Sequence, residues 1–213
     1  MHLRMTVPNF ITVIRILMIP LFVLAMIQAG EDEQLYRLVA LGLFGLMALG
    51  DGLDGYFARK LNQRTVMGAF LDPMADKLMM FCAYVMLAGK TWPEPRMPEW
   101  VSTVVISRDA LIGLGFLTLF VLTGRFRMVT PSGVGKLCTV VQALTILGVF
   151  GSPWLMAAAG ATAGWWIMTV LFLLTVFLTL FSGVDYLYAG RLYLLHSEQV
   201  TLTVEDRPGR IER

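Results

Sequence analysis

The chain has 213 residues, 57% of them hydrophobic and 15% charged, and its formal net charge is +2. So small and dispersed a positive charge excludes a nucleic-acid-binding domain, which needs a basic patch or stripe. The apolar residues come in runs of around twenty rather than as amphipathic stripes, so the composition predicts an all-α, polytopic membrane protein.

Six spans are predicted. After a short polar lead with Arg4, Pro8 is suited to opening the first, Phe10 to Gly30. Asn9, Thr12 and Arg15 recur at spacings of three, on one side of its first turns, where they can face a head-group or substrate or serve as interfacial anchors. Of these, Arg15 is retained as a candidate acceptor-binding residue. The interior Arg15 and the polar lead argue for an uncleaved span rather than a signal peptide. The acidic connection Glu31, Asp32, Glu33 leads to span two, Leu35 to Arg59, and a basic, polar turn, Lys60 to Thr65, leads to span three, Met67 to Gly89. Pro73, just after Asp72, removes a backbone donor and can kink that helix. Lys77 is expected to neutralise a carboxylate.

A loop carrying Pro93, Pro95 and Pro98 precedes span four, Trp100 to Thr123, which holds Ser107, Arg108 and Asp109 in an otherwise apolar run. Adjacent residues do not share a helix face, so Arg108 and Asp109 are expected to find different partners, Arg108 on a phosphate; mutual or interhelical neutralisation for packing is the alternative. Pro131, Ser132, Gly133 and Gly135 deliver Lys136 to the start of span five. There, backbone N–H groups, helix dipole and ammonium can meet an anion, or Lys136 can simply anchor the interface. Span five is predicted to stop near Phe150, before Gly151, Ser152 and Pro153. Span six, Ala163 to Gly190, reads as apolar until Asp185, with Trp154, Trp165 and Trp166 as interfacial aromatics. The boundary is drawn between a membrane domain, 1–190, and a polar cytoplasmic tail, 191–213, disordered from Glu205. Cys82 and Cys138 fall inside spans and read as packing residues, with no disulfide framework or zinc spacing.

The chain's chemistry is concentrated between Asp51 and Asp76, DGLDGYFARKLNQRTVMGAFLDPMAD. Asp51, Asp54, Asp72 and Asp76 lie in or beside apolar segments, where each carboxylate costs a few kcal/mol unless it is paired, coordinated or hydrated. Oxygen-only ligands of this number suit Mg2+ or Mn2+. At about 100° per residue Asp51, Asp54, Gly55, Ala58 and Arg59 share one side of a helix, and Gly68, Asp72 and Asp76 share a side of the next. Gly55, Ala58 and Gly68 clear space for a ligand beside the acids, and Arg59 offers a fork of donors for phosphate oxygens.

These residues fit the signature D-x2-D-G-x2-A-R-x8-G-x3-D-x3-D at every fixed position. The chain thereby resembles the CDP-alcohol phosphotransferases. The resemblance implies an integral membrane enzyme, sited in a bacterial inner membrane, in which an alcohol attacks the β-phosphate of a CDP-linked donor and CMP leaves. It also implies two metal ions on Asp51, Asp54, Asp72 and Asp76, with Asp76 as general base, and donor binding by Asp51, Gly55, Ala58, Arg59 and Gly68. Implied partners are CDP-diacylglycerol, the phospholipid membrane and a second copy of the chain in a homodimer. Glycerol 3-phosphate is the favoured acceptor, with phosphatidylglycerol as the alternative. TVPNFITVIRILMIP and the motif region resemble members that use glycerol 3-phosphate, whereas Ser107-Arg108-Asp109 resembles members that use phosphatidylglycerol. Arg108, Lys136 and Arg15 are the candidate acceptor-binding residues.

Lysine and arginine lie mostly in the N-terminus, the two–three turn, the four–five loop and the tail, against Arg37, Lys90 and Arg96 on the other side. The positive-inside rule then places both termini and the active site in the cytoplasm. A divalent-cation transporter would also set acids in spans, but it should show broken helices near midplane in repeated halves, which this sequence lacks. Membrane prenyltransferases carry two acidic motifs far apart in a longer chain.

Overall fold

A computed structural model describes the backbone of residues 7–29, 34–60, 66–89, 92, 96–123 and 133–205. It also describes the side chains of those residues except 7–9, 51–73, 116, 119, 120, 122, 123 and 189–205. The described chain is helical: α1 Val7–Ala29, α2 Gln34–Lys60, α3 Val66–Ala88, α4 Glu99–Thr123, α5 Gly133–Ala159 and α6 Ala161–Glu205. The shortest helices, α1 and α3, have 23 residues each, roughly 35 Å at the α-helical rise, against about 30 Å of bilayer hydrocarbon. Among the described residues, three stretches are both long and apolar enough to cross a membrane: Phe10–Ala29, Gly133–Ala159 and Ala161–Tyr188.

α1 packs chiefly on α2 and also on α3, while α6 packs on α5 and α4; α3 contacts α4 and α5, and α2 contacts α5, so these contacts join the two groups. At the junction Phe22, Phe44 and Phe150, one from each of α1, α2 and α5, stand with ring centroids 6.2 to 6.5 Å apart. Trp92 meets Phe150 edge-on at 5.4 Å, and the Arg37 guanidinium lies 5.1 Å over the Trp92 ring. Lipid tails are as apolar as these side chains, so the cluster holds the helices together by close packing rather than by escape from water.

Polar side chains supply a second kind of contact. Thr145 and Thr175 share a hydrogen bond of 2.6 Å, Gln142 donates to Thr179 at 3.2 Å, and Tyr84 donates to the Gln142 carbonyl at 3.2 Å. Each such bond contributes on the order of 0.6 kcal/mol between membrane helices. Thr175, Thr179 and Ser182 are all buried. Span six is therefore not uniformly apolar before Asp185, as the sequence reading had it, but carries a buried polar stripe facing α5 and α4.

Span five also runs further than expected, through Gly151, Ser152 and Pro153 to Ala159. Pro153 has no N–H to give the Val149 carbonyl one turn earlier. The Ser152 hydroxyl donates to that carbonyl instead, at 2.7 Å. Gly160 alone separates α5 from α6, in a left-handed conformation (φ 83°) that a glycine adopts at no steric cost. Trp154, Trp165 and Trp166 are exposed around this junction, as expected of interfacial aromatics. α6 passes position 190 as a continuous helix.

Candidate active site

The acidic motif is divided between two helix ends. Asp51, Asp54, Gly55, Ala58 and Arg59 occupy the last ten residues of α2, and Gly68, Asp72 and Asp76 the first turns of α3, which runs through Pro73 unbroken. The side chains of residues 51–73 lie outside the description, and with them the carboxylates of Asp51, Asp54 and Asp72, the small positions and Arg59. Asp76 is described, half-buried on α3. Among the described side chains no three His, Cys, Asp or Glu gather into a metal cluster.

α1 reaches the beginning of the motif through Arg15. Gly50, immediately before Asp51, lies so close that a Cβ there would stand 3.2 Å from Arg15 Cδ and 3.3 Å from Cγ. Both Thr12 and Arg15 are buried. Their burial sets these two side chains against neighbouring helices rather than on an exposed interfacial face. A side chain at Gly50 would require the Arg15 stem to give way by a few tenths of an ångström.

α4 contributes the second polar group. Arg108 Nη1 donates to Asp109 Oδ1 at 2.7 Å, and Nη2 donates to the Ser182 hydroxyl on α6. Lys77 Nζ bonds the other carboxylate oxygen, Asp109 Oδ2, at 2.8 Å. Arg108 and Asp109 thus do neutralise each other, the alternative left open from the sequence, because the long arginine stem carries its guanidinium round to the neighbouring residue. Each also has the separate partner that was expected. Lys77 does neutralise a carboxylate, and it is that of Asp109. α6 runs close to this group: a Cβ at Gly183 would make ordinary van der Waals contact with Arg108 Cγ at 3.6 Å. Lys136 is exposed on the first turn of α5 and, among the described residues, is not part of this network. Cys138, one half-turn further on, is buried with its sulfur 3.6 Å from the Thr179 hydroxyl.

Ser182 was missed by the sequence reading. The signal lay in Thr175, Thr179 and Ser182, whose spacings of four and three put them on one face of α6.

The sequence pattern of the CDP-alcohol phosphatidyltransferase family matches residues 5–184, which span α1 to most of α6. The chain belongs to the CDP-alcohol phosphatidyltransferase family. A protein of Mycobacterium tuberculosis (strain H37Rv) named probable phosphatidylglycerophosphate synthase is 34% identical over 178 residues, 84% of this chain and 78% of that one. The CDP-diacylglycerol–glycerol-3-phosphate 3-phosphatidyltransferase of Bacillus subtilis (strain 168) is 33% identical over 192 residues, covering 84% and 92%. That of Haemophilus influenzae (strain Rd) is 29% identical over 203 residues, covering 93% and 100%. Within the family pattern, the motif falls on the two ends of α2 and α3 that the short connection 61–65 joins.

Proposed function

We propose that this membrane enzyme transfers the phosphatidyl group of CDP-diacylglycerol to glycerol 3-phosphate, giving phosphatidylglycerophosphate and CMP. The observation that carries the reading is the complete eight-position motif divided between the end of α2 and the start of α3. The choice of acceptor is supported by the names of the relatives, matched over most of their length. Ser107-Arg108-Asp109 favours a second reading, phosphatidylglycerol as acceptor and cardiolipin as product. A cation transporter would release no CMP at all.

The donor set suits the ions this reaction needs. Four carboxylates with no thiolate or imidazole favour a hard divalent cation, Mg2+ or Mn2+, on Asp51, Asp54, Asp72 and Asp76. Bound there, two ions supply positive charge to the diphosphate oxygens. Gly55, Ala58 and Gly68 admit the nucleotide, and Arg59 offers its forked donors to the diphosphate. Asp76 takes the proton from the acceptor hydroxyl as its oxygen bonds to the β-phosphorus. The bond from that phosphorus to the CMP oxygen breaks, and CMP leaves. Arg108, Lys136 and Arg15 hold the acceptor.

Six membrane spans, with both termini and the motif on the cytoplasmic side of a bacterial inner membrane, complete the reading. It is supported by helices of bilayer length and by the excess of lysine and arginine on one side. The membrane domain is 1–190, with a cytoplasmic tail beyond it, and the enzyme works as a homodimer.

Acceptor profiling tests the activity. Purified protein with CDP-diacylglycerol and Mg2+ is expected to release CMP with glycerol 3-phosphate, giving phosphatidylglycerophosphate by mass spectrometry. Cardiolipin formed from phosphatidylglycerol, with glycerol 3-phosphate inert, would transfer the assignment to the second reading. For topology, Gln63→Cys is expected to react with a membrane-impermeant thiol reagent in inverted vesicles and not in intact cells. Labelling of intact cells would reverse the orientation.

A further inference from the structure

One carboxylate, that of Asp109, is shared by two cations. Lys77 Nζ sits on Oδ2 at 2.8 Å and Arg108 Nη1 on Oδ1 at 2.7 Å. Together the three groups carry an excess of one positive charge. Among the described residues no ion pair joins Asp185, one turn beyond Ser182 on α6, to either cation. Neither cation has spent its donors. Arg108 Nε is buried without a hydrogen-bond partner, and a buried donor left unmade costs about 1–3 kcal/mol until something accepts from it. The Lys77 ammonium has three donors, one of them on Asp109, and its side chain is 45% exposed. Lys77 also directly follows Asp76, the proposed base, on α3.

We propose that Lys77 binds the acceptor's phosphate together with Arg108, and that the pair, assembled on Asp109 before substrate arrives, selects a phosphate monoester over a diester. The proposal rests on the acceptor reading above and extends it to a residue that reading does not use. A monoester carries close to two negative charges and three terminal oxygens, enough to meet an ammonium and a guanidinium together. A phosphodiester has one charge and two such oxygens. Ser182 acts as a positioning residue, because its hydroxyl fixes Nη2 and so the plane of the fork.

Three variants of the full chain separate the possibilities in CMP-release kinetics. Lys77→Gln is expected to raise the KM for glycerol 3-phosphate at least about tenfold, the scale of one lost charge-assisted hydrogen bond, with the CDP-diacylglycerol KM changed less than about twofold. Lys77→Arg, which keeps the charge, should restore most of the acceptor affinity. Arg108→Gln reports on the underlying acceptor site by itself. An acceptor KM raised by Arg108→Gln and untouched by Lys77→Gln would overturn the role of Lys77 and leave that site standing. Equal effects of Lys77→Gln on both substrates would overturn it as well. A measurement on the unmodified protein guards against a misfolded variant: glycerol 3-phosphate should protect Lys77 from an amine-reactive reagent, read by peptide mass spectrometry. Equal modification with and without glycerol 3-phosphate would overturn the proposal. A wild-type protein inert towards glycerol 3-phosphate would overturn the acceptor reading and the proposal with it.

Discussion

Asp51→Asn, Asp54→Asn and Asp72→Asn should each abolish turnover and leave a folded protein. Each exchange removes a charged oxygen ligand and keeps the side chain's size. The electrostatic stabilisation lost with a displaced divalent ion is several kcal/mol, at least about a thousandfold in rate. The fold should survive because the aromatic cluster of Phe22, Phe44 and Phe150 and the polar bonds between α5 and α6 lie in other parts of the chain. CMP release, with far-UV circular dichroism on the same samples, gives both halves of the result. Activity within a few-fold of wild type in all three variants would rule out ion binding by the motif. Ca2+ in place of Mg2+ should fail too, since its larger and looser coordination does not hold oxygens in a tight octahedral arrangement.

A different signature is expected at Asp76. A neutral hydroxyl is a poor nucleophile, and a positioned carboxylate that accepts its proton accelerates attack by about 100- to 10,000-fold. Asp76→Asn should therefore slow the chemical step by at least about 100-fold while CDP-diacylglycerol binding falls much less. Single-turnover CMP release with equilibrium binding of the donor separates the two quantities. Retention of full single-turnover rate would mean that Asp76 does not take the proton.

The residues of the acidic motif could be picked out in the sequence because they are close together along it. Spacings of three and four convert directly into helix faces, and polar groups in apolar runs are conspicuous. The six helices of the described chain were legible for a similar reason, since their apolar residues come in runs long enough to read as helices.

Contacts between distant parts of the chain were not. Lys77 and Asp109 are 32 residues apart, and Arg108 and Ser182 are 74 apart. Periodicity says which face a residue occupies but not which helix covers that face. That Arg108 and Asp109 pair with each other as well was not decidable from faces for a narrower reason: face arguments treat side chains as short, and arginine is not. Pro153 misled because its cost was counted without the neighbour that offsets it. A serine just before a proline can satisfy the carbonyl the proline abandons, and here it does so at 2.7 Å.

The single glycine between α5 and α6 also bears on how the protein is made. With Gly160 as the whole connection, neither helix is expected to enter a bilayer far ahead of the other, and the two should insert as one hairpin. Thr145 then meets Thr175, and Gln142 meets Thr179, at the moment of entry. The Thr145 and Thr175 hydroxyls each also lie 2.8 Å from a carbonyl of their own helix, so it is the Gln142 amide that gains most from a partner already in place, an unsatisfied polar group in hydrocarbon costing several kcal/mol. Biogenesis of this half of the protein is in that sense built into the length of one turn.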